Sequence, residues 1–157
     1  MRFMMFMIPR VYQPDTPAQE RAQEGFTPPA EMVARMTKFN EELAKDGALI
    51  ALDGLHPIAK GARVRFMDGK TKVSDGPFCQ AKEVIGGYWL LEARSMEEAV
   101  GWAKRCPASE GDMLEIRQVF ESSDFPPEVQ KAAENPKVQR QAEKQKIRST
   151  ANARREK

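Results

Sequence analysis

The residues best suited to chemistry lie in two short stretches, "DGLHPIAKG" and "SDGPFCQAKE". Asp75 opens a tight Asp75-Gly76-Pro77-Phe78 turn, where a carboxylate beside an aromatic ring could act as a general base or hold a polar ligand. The same carboxylate suits a structural turn, accepting backbone N–H bonds while Pro77 fixes φ and Gly76 relieves crowding. The two roles are compatible. Glu83 would supply a second carboxylate, and two that share a site can divide acid and base work. With Lys82 it equally makes a solvated ion pair at the start of a strand. His56 is the only histidine, and an imidazole ordinarily titrates near neutrality, so it is a proton-transfer candidate or an incidental loop residue.

Arg117 would hold a substrate carboxylate bidentately or close a structural salt bridge. Glu31 falls in the first turn of an expected helix, where it meets the helix dipole or faces a pocket. Tyr88 and Trp89 alternate along a strand, so one faces the helices and the other the dimer interface, and both suit core or interface packing, with Tyr88 also a ligand-contact candidate. Cys79 would be reactive if Lys82 favoured its thiolate, yet no base partner accompanies it. Two cysteines without CxxC spacing and a single histidine argue against a zinc site or a disulfide framework. GxGxxG, Walker A, GxSxG and HExxH patterns are absent. No cofactor is expected.

These residues need a scaffold, and hydrophobic periodicity supplies it. Residues 2 to 8 are an apolar run stopped by Pro9, read as a central strand. Residues 9 to 27 read as a long loop with one helical turn at 17 to 24, and loops of that length are often functional. Thr27 is placed to cap a helix whose first turn tolerates Pro28 and Pro29, with Met32, Met36, Phe39 and Leu43 on one face and Gly47 as its stop. A second strand at "ALIALDG", a hairpin "ARVRFMDGKTKVSD" turning at Asp68-Gly69, and a strand at 84 to 93 follow. Gly86-Gly87 suggests a bulge or close backbone approach. Ser95 and Glu98 have capping-box spacing before a helix ending at Pro107, and "DMLEIRQVF" is the last strand. The order β-α-β, hairpin, β-α-β is an elaborated ferredoxin-like α+β plan.

In such a plan two helices cover one sheet face, and pairing of the other faces in a homodimer is the expected cover. The domain division expected is 1–120 for the α+β domain and 121–157 for a basic helical extension. That extension holds nine Lys or Arg against six Asp or Glu, and its Val129, Val138 and Ile147 either dock on a neighbour or ride on a solvated helix. The whole chain balances 25 basic against 23 acidic residues, a weak footprint for nucleic acid or an anionic membrane. The N-terminal apolar run is far short of a membrane span or signal segment, so a reducing cytoplasm is the expected setting.

Asp75-Gly76-Pro77-Phe78, Lys82-Glu83, Gly86-Gly87-Tyr88, "EEAVGWAKRCP" and "EIRQV" occur in an order that resembles the DGPF branch of the YCII-related family, over roughly residues 1 to 120. The resemblance implies a ferredoxin-like domain pairing as a dimeric α/β barrel. It also implies an acid-base pair proposed for smaller members, a His early in the first helix and an Asp after the second. Here Glu31 and Cys106 stand at those positions. Gln80 and Ala81 replace a common Glu and Thr after the turn.

The expected function is binding of a small polar or anionic molecule in a barrel cleft. Cofactor-independent acid-base chemistry would use Asp75, His56 and Glu83, with Arg117, Lys82, Glu31 and Tyr88 on the ligand. The alternative is a non-catalytic binding or interaction module, and fusions of the DGPF branch to sigma-factor domains suggest an accessory role in transcription.

Overall fold

In β1, Arg2–Ile8, side chains alternate between two faces, so Phe3 and Met5 are buried while Met4 and Phe6 are half-buried. The structure is a computed structural model and describes residues 1–78, 83–137 and 140. It forms two units, Met1–Val119 and Phe120–Lys157.

In the first unit β1 is central, as its apolar run predicts. It pairs antiparallel with β5 (Gly87–Glu92) and β6 (Met113–Gln118), and β2 (Leu49–Gly54) extends the sheet beyond β5. The resulting order β2-β5-β1-β6, with helix α1 (Ala30–Lys45) after β1 and helix α2 (Met96–Ala103) after β5, is an antiparallel α+β split βαβ arrangement. Between β2 and β5 the chain inserts a separate two-stranded sheet, β3 (Ala62–Met67) and β4 (Lys70–Asp75). Its Asp68-Gly69 turn has positive φ at both residues, 50° and 71°, as a tight hairpin requires.

Both helices cover the same sheet face. Phe39 and Leu43 of α1 and Trp102 of α2 join Met5, Trp89 and Leu91 in one buried cluster. Phe39 meets Trp89 and Trp102 edge-on, with ring centroids 6.1 and 6.5 Å apart. Trp89 Nε1 donates to Asn40 Oδ1 at 2.8 Å, so the buried indole has its partner.

Three local expectations are corrected. The helix begins at Ala30, with Pro29 rather than Thr27 as its N-cap and no side-chain cap. Thr27 and Pro28 each precede a proline, which pushes both out of the α region. The helical turn of the long loop lies at Arg10–Tyr12 instead of 17 to 24, where the chain only makes a turn closed by Glu20 N–H to Pro17 O. The Ser95 cap is present, with Ser95 Oγ accepting from Glu98 N–H, but the Glu98 carboxylate reaches back to Arg94 N–H, one residue before the cap.

The second unit contains helix α3, Pro127–Ala133, whose start is held by Gln130 Nε2 donating to Phe125 O. Phe120 and Phe125 meet with their rings tilted by 37° and their centroids 5.0 Å apart. Val129 is exposed, while Val138 and Ile147 lie outside the described residues. Among the described residues no helix is long and apolar enough to cross a membrane.

Candidate functional site

Pro9 ends β1, and the 3-10 turn that follows aims Tyr12 between two clefts. Internal bonds hold this long loop as a wall. The Arg21 guanidinium donates to Pro14 O and Thr16 O, and the buried Thr16 hydroxyl donates to Arg10 O. Tyr12 donates from its phenol to Leu55 O at 3.1 Å and meets Phe26 edge-on at 5.8 Å. Burial raises the Tyr12 phenol above its ordinary pKa of 10.0.

The cleft on one side of Tyr12 has a volume of about 340 Å³ and opens at the N-terminal end of α1. Met7, Val11, Phe26, Met32 and Met36 make an apolar floor, and the segment from Pro107 to Asp112 closes one end. Asp112 organises that end: Oδ1 accepts from Arg10 N–H at 2.9 Å and Oδ2 from Ser109 N–H at 2.8 Å. The Arg10 guanidinium is engaged by Glu20 at 2.7 Å, and its aliphatic stem crosses Gly111, where an added Cβ would fall 2.5 Å from Arg10 Cδ. Behind the floor, Cys106 Sγ lies 4.0 Å from Met36 Sδ. Burial pushes the Cys106 thiol up to about 11, so it is neither a ready acid nor a thiolate near neutrality.

The cleft on the other side of Tyr12, about 440 Å³, is walled by Arg21, Gln23, Pro57, Ile58, Pro77 and Phe78. Here the DGPF turn shows its structural work. Gly76 N–H donates to Gly61 O at 2.8 Å, and a Cβ on Gly76 would fall 1.7 Å from Ile58 O, so only glycine fits. Phe78 packs against Gly61 and lies under the Arg63 guanidinium, 4.1 Å from its ring centre. The turn thus docks the hairpin base against the 3-10 turn at Ile58–Lys60 while its last two residues line a cleft.

Among the described residues, those singled out from sequence do not gather in either cleft. Asp75 ends β4 opposite Ala62, exposed, with no side-chain hydrogen bond or ion pair to another described residue. His56 is exposed in the loop after β2, and Glu83 is exposed with φ of 53°. Glu31 is exposed in the first turn of α1, and Cys79 and Lys82 lie outside the described residues.

Arg117 and Tyr88 stand on the sheet face opposite the helices. There Glu115, Phe6, Tyr88 and Asp53 form one row across four strands, and Arg117, Met4, Leu90 and Ala51 form the next. Tyr88 donates to Asp53 Oδ2 at 2.8 Å, and this bond, with lesser contributions from burial and the Asp53 charge, raises the phenol above 10.0. Arg117 pairs with Glu115 at 3.5 Å along its own strand. Among the described residues no hydrogen bond or ion pair joins any two of the seven candidates, and no group of three or more His, Cys, Asp or Glu is placed to hold a metal ion.

Tyr12, Arg10, Met32, Met36 and Asp112, which do line a cleft, carried no chemical signal in the sequence. The one usable hint was a long loop holding an aromatic residue directly after the first strand.

An antiparallel split βαβ sheet, two helices on one of its faces, an inserted hairpin and a cleft at the start of the first helix together define a small α+β domain. The chain belongs to the YCII-related domain family, which it matches over residues 2–123. It is also similar to an uncharacterized protein of Rhizobium meliloti (strain 1021), with 36% identity over 69 residues, covering 44% of this chain and 56% of that protein. The matched stretch therefore spans about half of that relative's length.

Proposed function

We propose that this chain is a homodimeric small-molecule-binding protein whose cleft at the start of α1 takes a ligand with an apolar body and one polar end. The lining of that cleft carries the reading: three methionines and Phe26 form its floor, and apart from Tyr12 its polar side chains are those of Ser109, Glu110, Asp112 and Arg10. Its volume lies at the small end of the usual range for ligand sites, and thioethers adapt to irregular apolar shapes. Because Arg10 is engaged by Glu20, the exposed Glu110 is the available charge at that end. A ligand group that donates hydrogen bonds suits it better than an anion does.

Dimerisation through the open sheet face, as a dimeric α/β barrel, gives Met4, Phe6 and Leu90 the apolar cover that one chain leaves incomplete. The test uses the full chain. Light scattering reads its mass, and the neutral probe N-phenylnaphthylamine reads the cleft by fluorescence. A mass of two chains and probe binding that weakens at least about tenfold in Met32→Glu, equivalent to about 1.4 kcal/mol, are expected. Monomeric mass sinks the dimer, and undiminished probe binding in the variant sinks the cleft.

A further inference from the structure

Every residue of β3 and β4 is exposed, so among the described residues neither face of the hairpin is buried, and the register states what each carries. Val64 lies opposite Val73 and Phe66 opposite Thr71, making one face apolar, with Phe66 80% exposed. On the other face Arg65 lies opposite Lys72, Arg63 opposite Ser74 and Met67 opposite Lys70. That face holds four cations and no carboxylate, because Asp75 points with the apolar set and Asp68 is in the turn.

Like charges directly opposite one another destabilise a strand pair. Among the described residues none of Arg63, Arg65, Lys70 and Lys72 is relieved by an ion pair. Arg63 is nevertheless held in place by its stacking on Phe78, which leaves its N–H edges free for an acceptor.

We propose that this cationic hairpin face is a docking surface for the phosphate backbone of a nucleic acid. Alternation sets same-face cations about 6.6–6.8 Å apart along each strand, an array suited to a repeating anion rather than to one small one. A two-stranded ribbon also has the dimensions that the major groove of B-form DNA admits. An anionic lipid surface fits less well: Val64, Phe66 and Val73 project from the opposite face, so inserting them would lift the cations away from the headgroups.

The experiment is fluorescence anisotropy of a labelled single-stranded oligonucleotide and its duplex with the full chain, from about 20 to about 200 mM salt. Four phosphate contacts predict a slope of log affinity on log salt of about −2.8 for the single strand and about −3.6 for the duplex. Substituting Arg65→Gln and Lys72→Gln together should weaken low-salt binding about tenfold or more and make the slope shallower by about 1.4–1.8, while Arg65→Lys retains binding. Unchanged binding in the double variant overturns the proposal and moves the affinity to the basic segment 121–157. Absence of binding at low salt, or equal affinity for polyglutamate or phosphatidylserine vesicles, overturns it as well. Circular dichroism and a two-chain mass in the double variant separate this outcome from failure of the cleft or the dimer.

Discussion

The side-chain amide of Gln13 pairs with both backbone polar groups of Val84: Oε1 accepts from Val84 N–H at 2.8 Å, and Nε2 donates to Val84 O at 2.9 Å. The same Nε2 also donates to Pro9 O at 2.8 Å. Val84 is buried, so one side chain satisfies backbone groups that water would not reach and fastens the long loop to the approach to β5.

Gln13→Ala should therefore cost about 1–3 kcal/mol, because it strands buried backbone groups. Urea unfolding measures it. A loss below about 0.5 kcal/mol, the range of an ordinary surface substitution, would show that other groups hold the loop.

Gly76→Ala places a Cβ where Ile58 O already stands, and backbone cannot step aside as a side-chain tip can. A cost of about 1–3 kcal/mol is expected, from overpacking. Hydrogen exchange should show loss of protection in the amides of β3 and β4 even if the unfolding midpoint moves little. Unchanged exchange and midpoint together would refute the docking role given to the turn.

Cys106 should resist alkylation. With its pKa raised from 9.0 to about 11, its thiolate population near neutrality falls about a hundredfold. In a Cys79→Ser background, iodoacetamide should modify the folded chain slowly and the urea-unfolded chain at the rate of an ordinary cysteine. Equal rates would place Cys106 in the open.

At alkaline pH stability should decline. Tyr12, Tyr88 and Cys106 all have raised folded pKa values, so the folded state holds its protons more tightly than the unfolded state does. Their contributions are complete below the ordinary values of 9.0 for the thiol and 10.0 for the phenols, and are lost as pH rises through the folded values, about 11 for Cys106. Thermal unfolding from pH 8 upward checks this. Ultraviolet titration should show the Tyr88 phenol moving back toward 10.0 in Asp53→Asn, since the hydrogen bond to Asp53 is the main cause of its shift.

Much of the scaffold was legible because its signals are local. The apolar run of β1, the Asp68-Gly69 turn, the stripe Met32, Met36, Phe39 and Leu43, and the Ser95 cap depend on residues a few positions apart. The misplaced start of α1 was also a local matter, decided by two consecutive prolines acting on the residues before them. The candidate site was less legible. Asp75, His56 and Glu83 were singled out for what their side chains can do, but exposure depends on what the rest of the chain covers.

The sequence by itself determined the order of elements, the alternation that sends Tyr88 and Trp89 to opposite faces, and membership in the family its motifs resemble; that Trp89 is the one against the helices was decided by packing. Tertiary structure alone decided the rest. Gln13 meets Val84 across 71 positions, Asp112 meets Arg10 across 102, and the methionines of α1 form the floor of a cleft closed by the segment before β6. It also decided that the hairpin would leave the main sheet with four exposed cations on one face. Periodicity assigns each side chain a face of its own element, but which faces meet, and which polar groups find partners between them, is set by contacts between segments far apart in the chain.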